Sequence, residues 1–412
     1  MDKVLAMVLA GGRVDELLCL TEKRPKSALP VFGTYRIIDF VLSNLMQSGI
    51  YNVGVLSQFR PYALVRHIGT GEHWDFIGRC RGIRILPPYQ GLKESDWYKG
   101  TADAVYQNIS YIEEFKPEHV LIASADHVYH MDYKPFFQFH LEKNADLTIC
   151  FTKVASKASR FGYGVIDKND QVIKYLEKPK TPPSDWASMT LYLFKKQVLI
   201  DALKENVTAE SHEFGRDIVA KLVNNKKVLG CKFTGFWAYA RTIEAYYETN
   251  MALLQGKIDL NSWSIRTNLV ERCAHGDRLP ARIDGVVTNS IISDGCVIKG
   301  KVKNSILSPG VKVDFGAEVI DSIIFHDTVV RPTAYLKKVI CDKDSEIGES
   351  CTIGGFGEDT PSKEYGSLLS SGITILGKFS NIPARVTIGA NTAIYSSVTI
   401  KDSKIDPGSV LR

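Results

Sequence analysis

At 412 residues the chain exceeds the length at which one hydrophobic core usually divides, so two domains are expected. A hydrophobic share of 44% and a charged share of 24% exclude a disordered or fibrous protein. A net charge of +5 suits small anionic ligands, and no Lys/Arg block with interleaved aromatics is present to track nucleic acid.

The first predicted element is a buried strand in "KVLAMVLA". A signal peptide is the alternative, but Gly-Gly and acidic residues follow, with no small-residue cleavage site. Further strands in "NVGVLS", "HVLIASA" and "LTICFTKV" alternate with amphipathic stretches such as "ADAVYQNISYIEEF" up to about residue 255, the pattern of βα units around a mostly parallel sheet. Ligands of such sheets sit beyond the carboxyl ends of the strands. "GGRVDELL" and "DHVYHMDY" are therefore where a site is expected. No apolar run approaches the roughly 20 residues of a membrane helix. The eight cysteines are scattered without a CxxC pair, which reads as reduced thiols in a cytoplasmic setting.

Beyond about residue 280 an aliphatic residue recurs every six positions, at Ile382, Ile388, Ile394 and Ile400 and earlier at Leu307, Val313 and Val319. Small or polar residues follow each one, so flat coils can turn a corner and stack. This predicts a parallel β-helix, with a β-sandwich as the alternative. The stretch "NLVERCAHGDRLPARIDG" carries the Pro and Gly of a linker. The expected partition is 1–255, a linker over 256–284, and 285–412.

Gly11 and Gly12 permit close backbone approach after a strand, and Lys23, Arg24 and Lys26 add charge, the ingredients of a phosphate-holding turn. Alone this signal is weak, since a basic triplet is commonly a solvated face. Joined in order to "YRIIDFVLSNLMQSGI", "DWYKGTADAVYQN", "SADHVYHMDY", "YLEKP" and "HEFGRDI", it strongly resembles the ADP-glucose pyrophosphorylase (glucose-1-phosphate adenylyltransferase) family over nearly the whole chain. The resemblance implies an α/β fold, a Rossmann-like nucleotidyltransferase domain followed by a left-handed parallel β-helix of hexapeptide repeats. It implies adenylyl transfer from ATP to glucose 1-phosphate for glycogen or related glucan synthesis, small anionic effectors, and a homo-oligomer, tetramer favoured, or one subunit of a hetero-oligomer. Neither nucleic acid nor membrane is an expected partner.

The chemistry requires a site that gathers anions, orients them in line and neutralises developing charge, normally with Mg²⁺ bridging phosphate oxygens and one or two carboxylates. By resemblance Asp126 is the metal carboxylate and, with Lys26, a catalytic residue; on local grounds an Asp there also reads as a cap or turn residue. His127 is expected to pack or cap. Tyr98, Gly162, Glu177, Lys178 and Ser188 are carried over to glucose 1-phosphate, each with an ordinary structural alternative as core, turn or surface residue. Gly11, Gly12, Lys26, Gln58, Gly100, Thr101 and Ala102 are carried over to the nucleotide. Gln58 has an amide able to read an adenine edge, and Gln58 and Trp97 occupy positions that the family uses to link effector and active site.

The chain also departs from the family. Where the first loop normally reads Gly-Gly-x-Gly-x-Arg, Val14 replaces the third glycine and Glu16 the arginine. In "GFWAYARTIEAYYETNM", Tyr239 takes the place of the second metal aspartate and Arg241 that of a glycine. A phenol is a poor Mg²⁺ ligand. Thr190 replaces a glycine in "SMTLYLF", and Ser27 a proline. An adapted Mg²⁺-dependent enzyme, with Arg241, Arg13 or Arg24 restoring charge, is the first reading. A catalytically weak regulatory paralogue that binds sugar phosphate or nucleotide is the second. A third, a different sugar-nucleotide enzyme with an acyltransferase β-helix, has only His326 as a base.

Overall fold

The computed structural model describes residues 3–89, 97–154, 158–268 and 278–412. Residues 269–277 of the expected linker lie outside the described residues. The chain forms two compact units. The first comprises Met1–Gly12, Ile38–Pro61 and Ile68–Trp237, and the second Arg13–Ile37, Tyr62–His67 and Ala238–Arg412. The boundaries at 255 and 285 mark changes of sequence rhythm, whereas these units are defined by contact.

A nine-stranded sheet organises the first unit. Val4–Leu9 lies at its centre, parallel to both Asn52–Leu56 and His119–Ser124. Both faces of a central parallel strand are covered, which is why its sequence is a continuous apolar run with Leu5 through Val8 fully buried. Register pairs Leu9 with Leu56 and with Ser124, so three strands end at one edge. The Ala10 N–H donates to the Leu56 carbonyl and the Ala125 N–H to the Leu9 carbonyl, both at 2.9 Å, fastening the departing loops there. Trp186–Lys195 runs antiparallel to His119–Ser124, with Leu191 opposite Ala123. Ser188 and Thr190 thus reach the same edge. The hairpin Gly162–Ile166 and Val172–Glu177 brings Glu177 opposite Gly162.

In the second unit three parallel sheets of six, seven and seven short strands stack, the arrangement of a β-helix. The six-residue period advances one aliphatic residue to the next face: Leu307, Val313 and Val319 lie on successive sheets. All three belong to one buried cluster, together with Ile382, Ile388, Ile394 and Ile400. Between Thr352–Ile353 and Thr374–Leu376 the strand repeat is interrupted. Residues 13–37 belong to this unit because their polar groups are built into it. Arg24 forms a buried ion pair with Asp342, the Tyr246 hydroxyl donates to the Pro30 carbonyl, and the Phe32 N–H donates to Asn250 Oδ1 at 2.9 Å.

Candidate active site

At the loop edge of the first unit, Gly11 runs against the start of the loop after Asn52–Leu56. A Cβ there would lie 2.8 Å from the Gln58 nitrogen and 3.0 Å from the Ser57 Cα, so only glycine fits, and the Gly11 carbonyl accepts from the Phe59 N–H. Gly12 faces open space. The Gln58 amide accepts from the Tyr98 N–H at 2.7 Å and donates to its carbonyl at 3.4 Å. Its polar atoms clamp the loop that carries Tyr98. Gly100 likewise has no room for a Cβ, which would meet the His212 carbonyl oxygen at 2.4 Å. The Ala102 N–H donates to that carbonyl. The Thr101 hydroxyl donates to Glu213 at 2.7 Å and accepts from the Phe214 N–H. Gly100, Thr101 and Ala102 are thereby pinned to residues 212–214.

Asp126 follows the strand His119–Ser124, half-buried, its N–H donating to Ser124 Oγ at 3.3 Å. His127 is buried and accepts from the Trp237 indole N–H at 3.3 Å, with the two rings edge to face. It packs, as its position suggests. Among the described residues no three His, Cys, Asp or Glu side chains form a metal cluster. A half-exposed carboxylate at a strand end fits a hard cation that takes one protein carboxylate and fills its remaining positions with phosphate oxygens and water.

Glu177 sits in a cradle that only glycines permit. A Cβ on Gly162 would lie 1.9 Å from the Tyr175 hydroxyl and 2.7 Å from Glu177 Oε2, and one on Gly215 would lie 2.0 Å from that same oxygen. The Tyr175 hydroxyl donates to Oε2 at 3.0 Å. Burial pushes the Glu177 carboxyl above its usual range, opposed by the Tyr175 hydrogen bond and the Lys178 charge. Lys178 adopts φ +48° and holds its exposed ammonium 4.0 Å from Glu177 Oε1. Ser188 is buried, and its hydroxyl donates to the Tyr192 phenol oxygen at 3.4 Å. The structure therefore brings Gly162, Glu177, Lys178 and Ser188 to one part of the sheet. Tyr98 is anchored otherwise: its hydroxyl donates to the Leu86 carbonyl and accepts from Asn108, both at 3.0 Å, and burial raises it to about 12. Gly215 is a residue that reading for side-chain chemistry passes over. Its signal lies within "HEFGRDI".

In the second unit the altered positions meet one another. Arg241 Nε donates to Glu16 Oε1 at 2.8 Å, and a guanidinium NH donates to the Tyr239 hydroxyl at 3.0 Å. Lys26 is buried with its ammonium 4.0 Å above the Tyr239 ring, a cation–π contact. Val14, in the place of the third loop glycine, is buried as a small core residue. Arg13 pairs with Asp15 at 2.6 Å on the surface, and Arg24 is committed to Asp342. The cations considered as substitutes for the lost arginine are thus engaged with carboxylates of their own unit.

The sequence profile of the Nucleotidyl transferase family matches residues 5–256, and that of the GlmU-like C-terminal hexapeptide matches residues 280–376. The chain is 40% identical to the glucose-1-phosphate adenylyltransferase of Fervidobacterium nodosum over the full length of both proteins. It is 41% identical to that of Thermomicrobium roseum over 100% of this chain and 96% of the relative. For Acetivibrio thermocellus the identity is 38% over 97% and 95%. The chain belongs to the glucose-1-phosphate adenylyltransferase family. The three positions where a departure from the family pattern was expected, 16, 239 and 241, contact one another: the Glu16 carboxylate is paired with Arg241, whose guanidinium also donates to the Tyr239 hydroxyl.

Proposed function

We propose that this chain is a nucleotidyltransferase that forms ADP-glucose and pyrophosphate from ATP and glucose 1-phosphate, for glycogen or related glucan synthesis. A phosphate oxygen of glucose 1-phosphate attacks the α-phosphorus, a new P–O bond forms, and the α–β bond breaks with its electron pair leaving on pyrophosphate. Gly11 and Gly12 let the backbone approach the triphosphate, with Gln58 and the Gly100–Thr101–Ala102 turn shaping the nucleotide side. Lys26 keeps the catalytic and nucleotide-binding role that its motif assigns. Glu177 accepts sugar hydroxyls, Lys178 meets the sugar phosphate, and Tyr98, Gly162 and Ser188 complete that side. Asp126 would hold Mg²⁺, which supplies charge neutralisation at the phosphate oxygens. The functional partition is a catalytic domain over 1–255, a linker over 256–284 and a β-helix over 285–412. A cytoplasmic setting, small anionic effectors and a homotetramer complete the reading.

The observation that carries it is the shared sheet edge, where the Gly11–Gly12 turn and Asp126 leave adjacent parallel strands whose ends are tied by the Ala125–Leu9 hydrogen bond. Pyrophosphate release by the purified chain, assayed across nucleotides and sugar phosphates, tests it. Turnover should be greatest with ATP and glucose 1-phosphate, and another preferred pair would overturn the assignment. A second reading, a weak or silent subunit that binds these ligands and modulates a partner, is favoured by the engagement of Arg241 with Glu16 and Tyr239. Glucose 1-phosphate binding without pyrophosphate release would select it. Under the first reading, Glu16→Arg with Tyr239→Asp lowers turnover; a rise from near zero supports the second.

A further inference from the structure

Tyr175 stands two positions before Glu177 on the strand Val172–Glu177, so the two side chains share one face of the sheet. It is buried, its ring tilted against that of Phe151 with 6.5 Å between centroids. A phenol in such a place needs a partner for its hydroxyl. The partner here is Glu177 Oε2, which accepts from it at 3.0 Å. Burial holds the Tyr175 phenol well above its usual range, so it keeps its proton and donates. The Ser188 hydroxyl donates to the Tyr192 phenol oxygen at 3.4 Å, and the Tyr192 hydroxyl lies 3.5 Å from that of Tyr175.

The two oxygens of Glu177 are placed in different surroundings. Oε2 lies between Gly162 and Gly215, where added Cβ atoms would fall 2.7 Å and 2.0 Å from it, and takes the Tyr175 hydrogen. Oε1 lies 4.0 Å from the exposed Lys178 ammonium. One oxygen is thus anchored against the backbone, and the other stands on the side where a cation meets solvent. The terminal torsion of a glutamate is a broad twofold rotor. A hydrogen bond to one oxygen narrows it and fixes which oxygen a ligand meets.

We propose that Tyr175 is a positioning residue for glucose 1-phosphate: its hydroxyl anchors Glu177 Oε2 so that Oε1 is presented to the sugar hydroxyls. This rests on the sugar-phosphate reading above. The groups that act on Glu177 besides Tyr175 are Lys178 beside it, and Glu213 and Arg216 from the segment that carries Gly215. Burial raises the carboxyl and Glu213 adds to the rise, while Tyr175, Lys178 and Arg216 oppose it. Removing the phenol hydrogen therefore moves the carboxyl further up, since that bond favours the charged form.

Binding of glucose 1-phosphate to the full chain, measured by calorimetry over a pH series, tests the proposal without requiring turnover. Tyr175→Phe keeps the ring against Phe151 and deletes the hydroxyl. It should weaken sugar binding about three- to tenfold, the scale of one lost hydrogen bond, and leave ATP binding unchanged. A second variant with para-fluorophenylalanine at 175 fills the volume of the hydroxyl without donating, and it should bind the sugar as weakly as Phe does. Affinity for the sugar should fall on acidification as Glu177 takes up its proton, and in both variants that fall should be centred at a higher pH than in the parent. In turnover assays the change should appear in KM for the sugar with kcat and the KM for ATP unchanged. Parental affinity in either variant, or a fall with pH that does not move, would overturn the positioning role while leaving the sugar site in place. A parent chain that binds no glucose 1-phosphate would overturn the sugar-site reading and this role with it.

Discussion

Around Glu177 a carboxylate accepts from one neutral hydroxyl, that of Tyr175, and is flanked by Gly162 and Gly215, with the exposed Lys178 ammonium 4.0 Å away. Around Arg241 the opposite holds, since a carboxylate and a guanidinium meet directly and a phenol takes a second guanidinium hydrogen. Burying an acid among neutral donors raises its energy when charged and leaves it ready for a ligand's hydroxyls. Pairing it with arginine satisfies both groups and leaves little field for a third. The chain thus keeps hydrogen-bonding capacity around Glu177, the side proposed for the sugar, and pairs opposite charges with one another around Arg241.

The largest expected effect lies on the retained side. Asp126→Asn should lower turnover at saturating Mg²⁺ by about a hundredfold or more, at nearly constant volume and with unchanged melting, because it deletes the carboxylate proposed to hold the metal. Near-parental turnover would break the comparison by removing the metal site from the retained region. Gly215→Ala should come next. Its Cβ would fall 2.0 Å from Glu177 Oε2 and displace the carboxylate, weakening glucose 1-phosphate binding about tenfold or more for a misplaced contact. Calorimetry with the sugar phosphate, beside an ATP control, reads this directly.

Glu177→Gln sharpens the contrast through pH. A folded-state pKa raised above the ordinary 4.5 means that the native protein binds the proton more tightly than the unfolded chain does. Stability from this group is complete below 4.5 and is lost as pH rises through the folded value. The neutral variant should therefore melt above the parent at pH 7 and converge with it as pH falls below 4.5; parallel curves would show that the buried charge carries no cost. The smallest effect belongs to the paired side. A double-mutant cycle on Glu16→Ala and Arg241→Ala should give a coupling below about 1 kcal/mol, since side chains with 31% and 30% exposure are screened by solvent. A larger value would make the cluster a structural keystone.

Much of this was legible in the chain itself. The continuous apolar run Val4–Leu9 reads as a buried parallel strand, because only a strand covered on both faces can lack alternation. The six-residue period announces the β-helix, because each step of six carries one aliphatic residue to the next inward face. Less legible was the segment 13–37, which follows the first strand in sequence yet belongs by contact to the unit containing the β-helix. Arg24 reads as a phosphate cation beside Lys23 and Lys26. Its buried partner Asp342 lies hundreds of positions away, so no local pattern could reveal the pair.

Local covalent pattern thus determined the elements, their order and the motifs, since periodicity and turn chemistry act over a few residues. Which hydrogen-bonding groups are already engaged was decided only by the tertiary structure. Gln58 reads as an adenine-reading amide, and its amide also holds the Tyr98 backbone. Glu16 and Tyr239 read as two separate losses and share one arginine. Gly215 reads as an unremarked glycine and makes room for Glu177. Each of these depends on distances of a few ångströms between residues far apart in sequence, and such distances are fixed only when the intervening chain has packed.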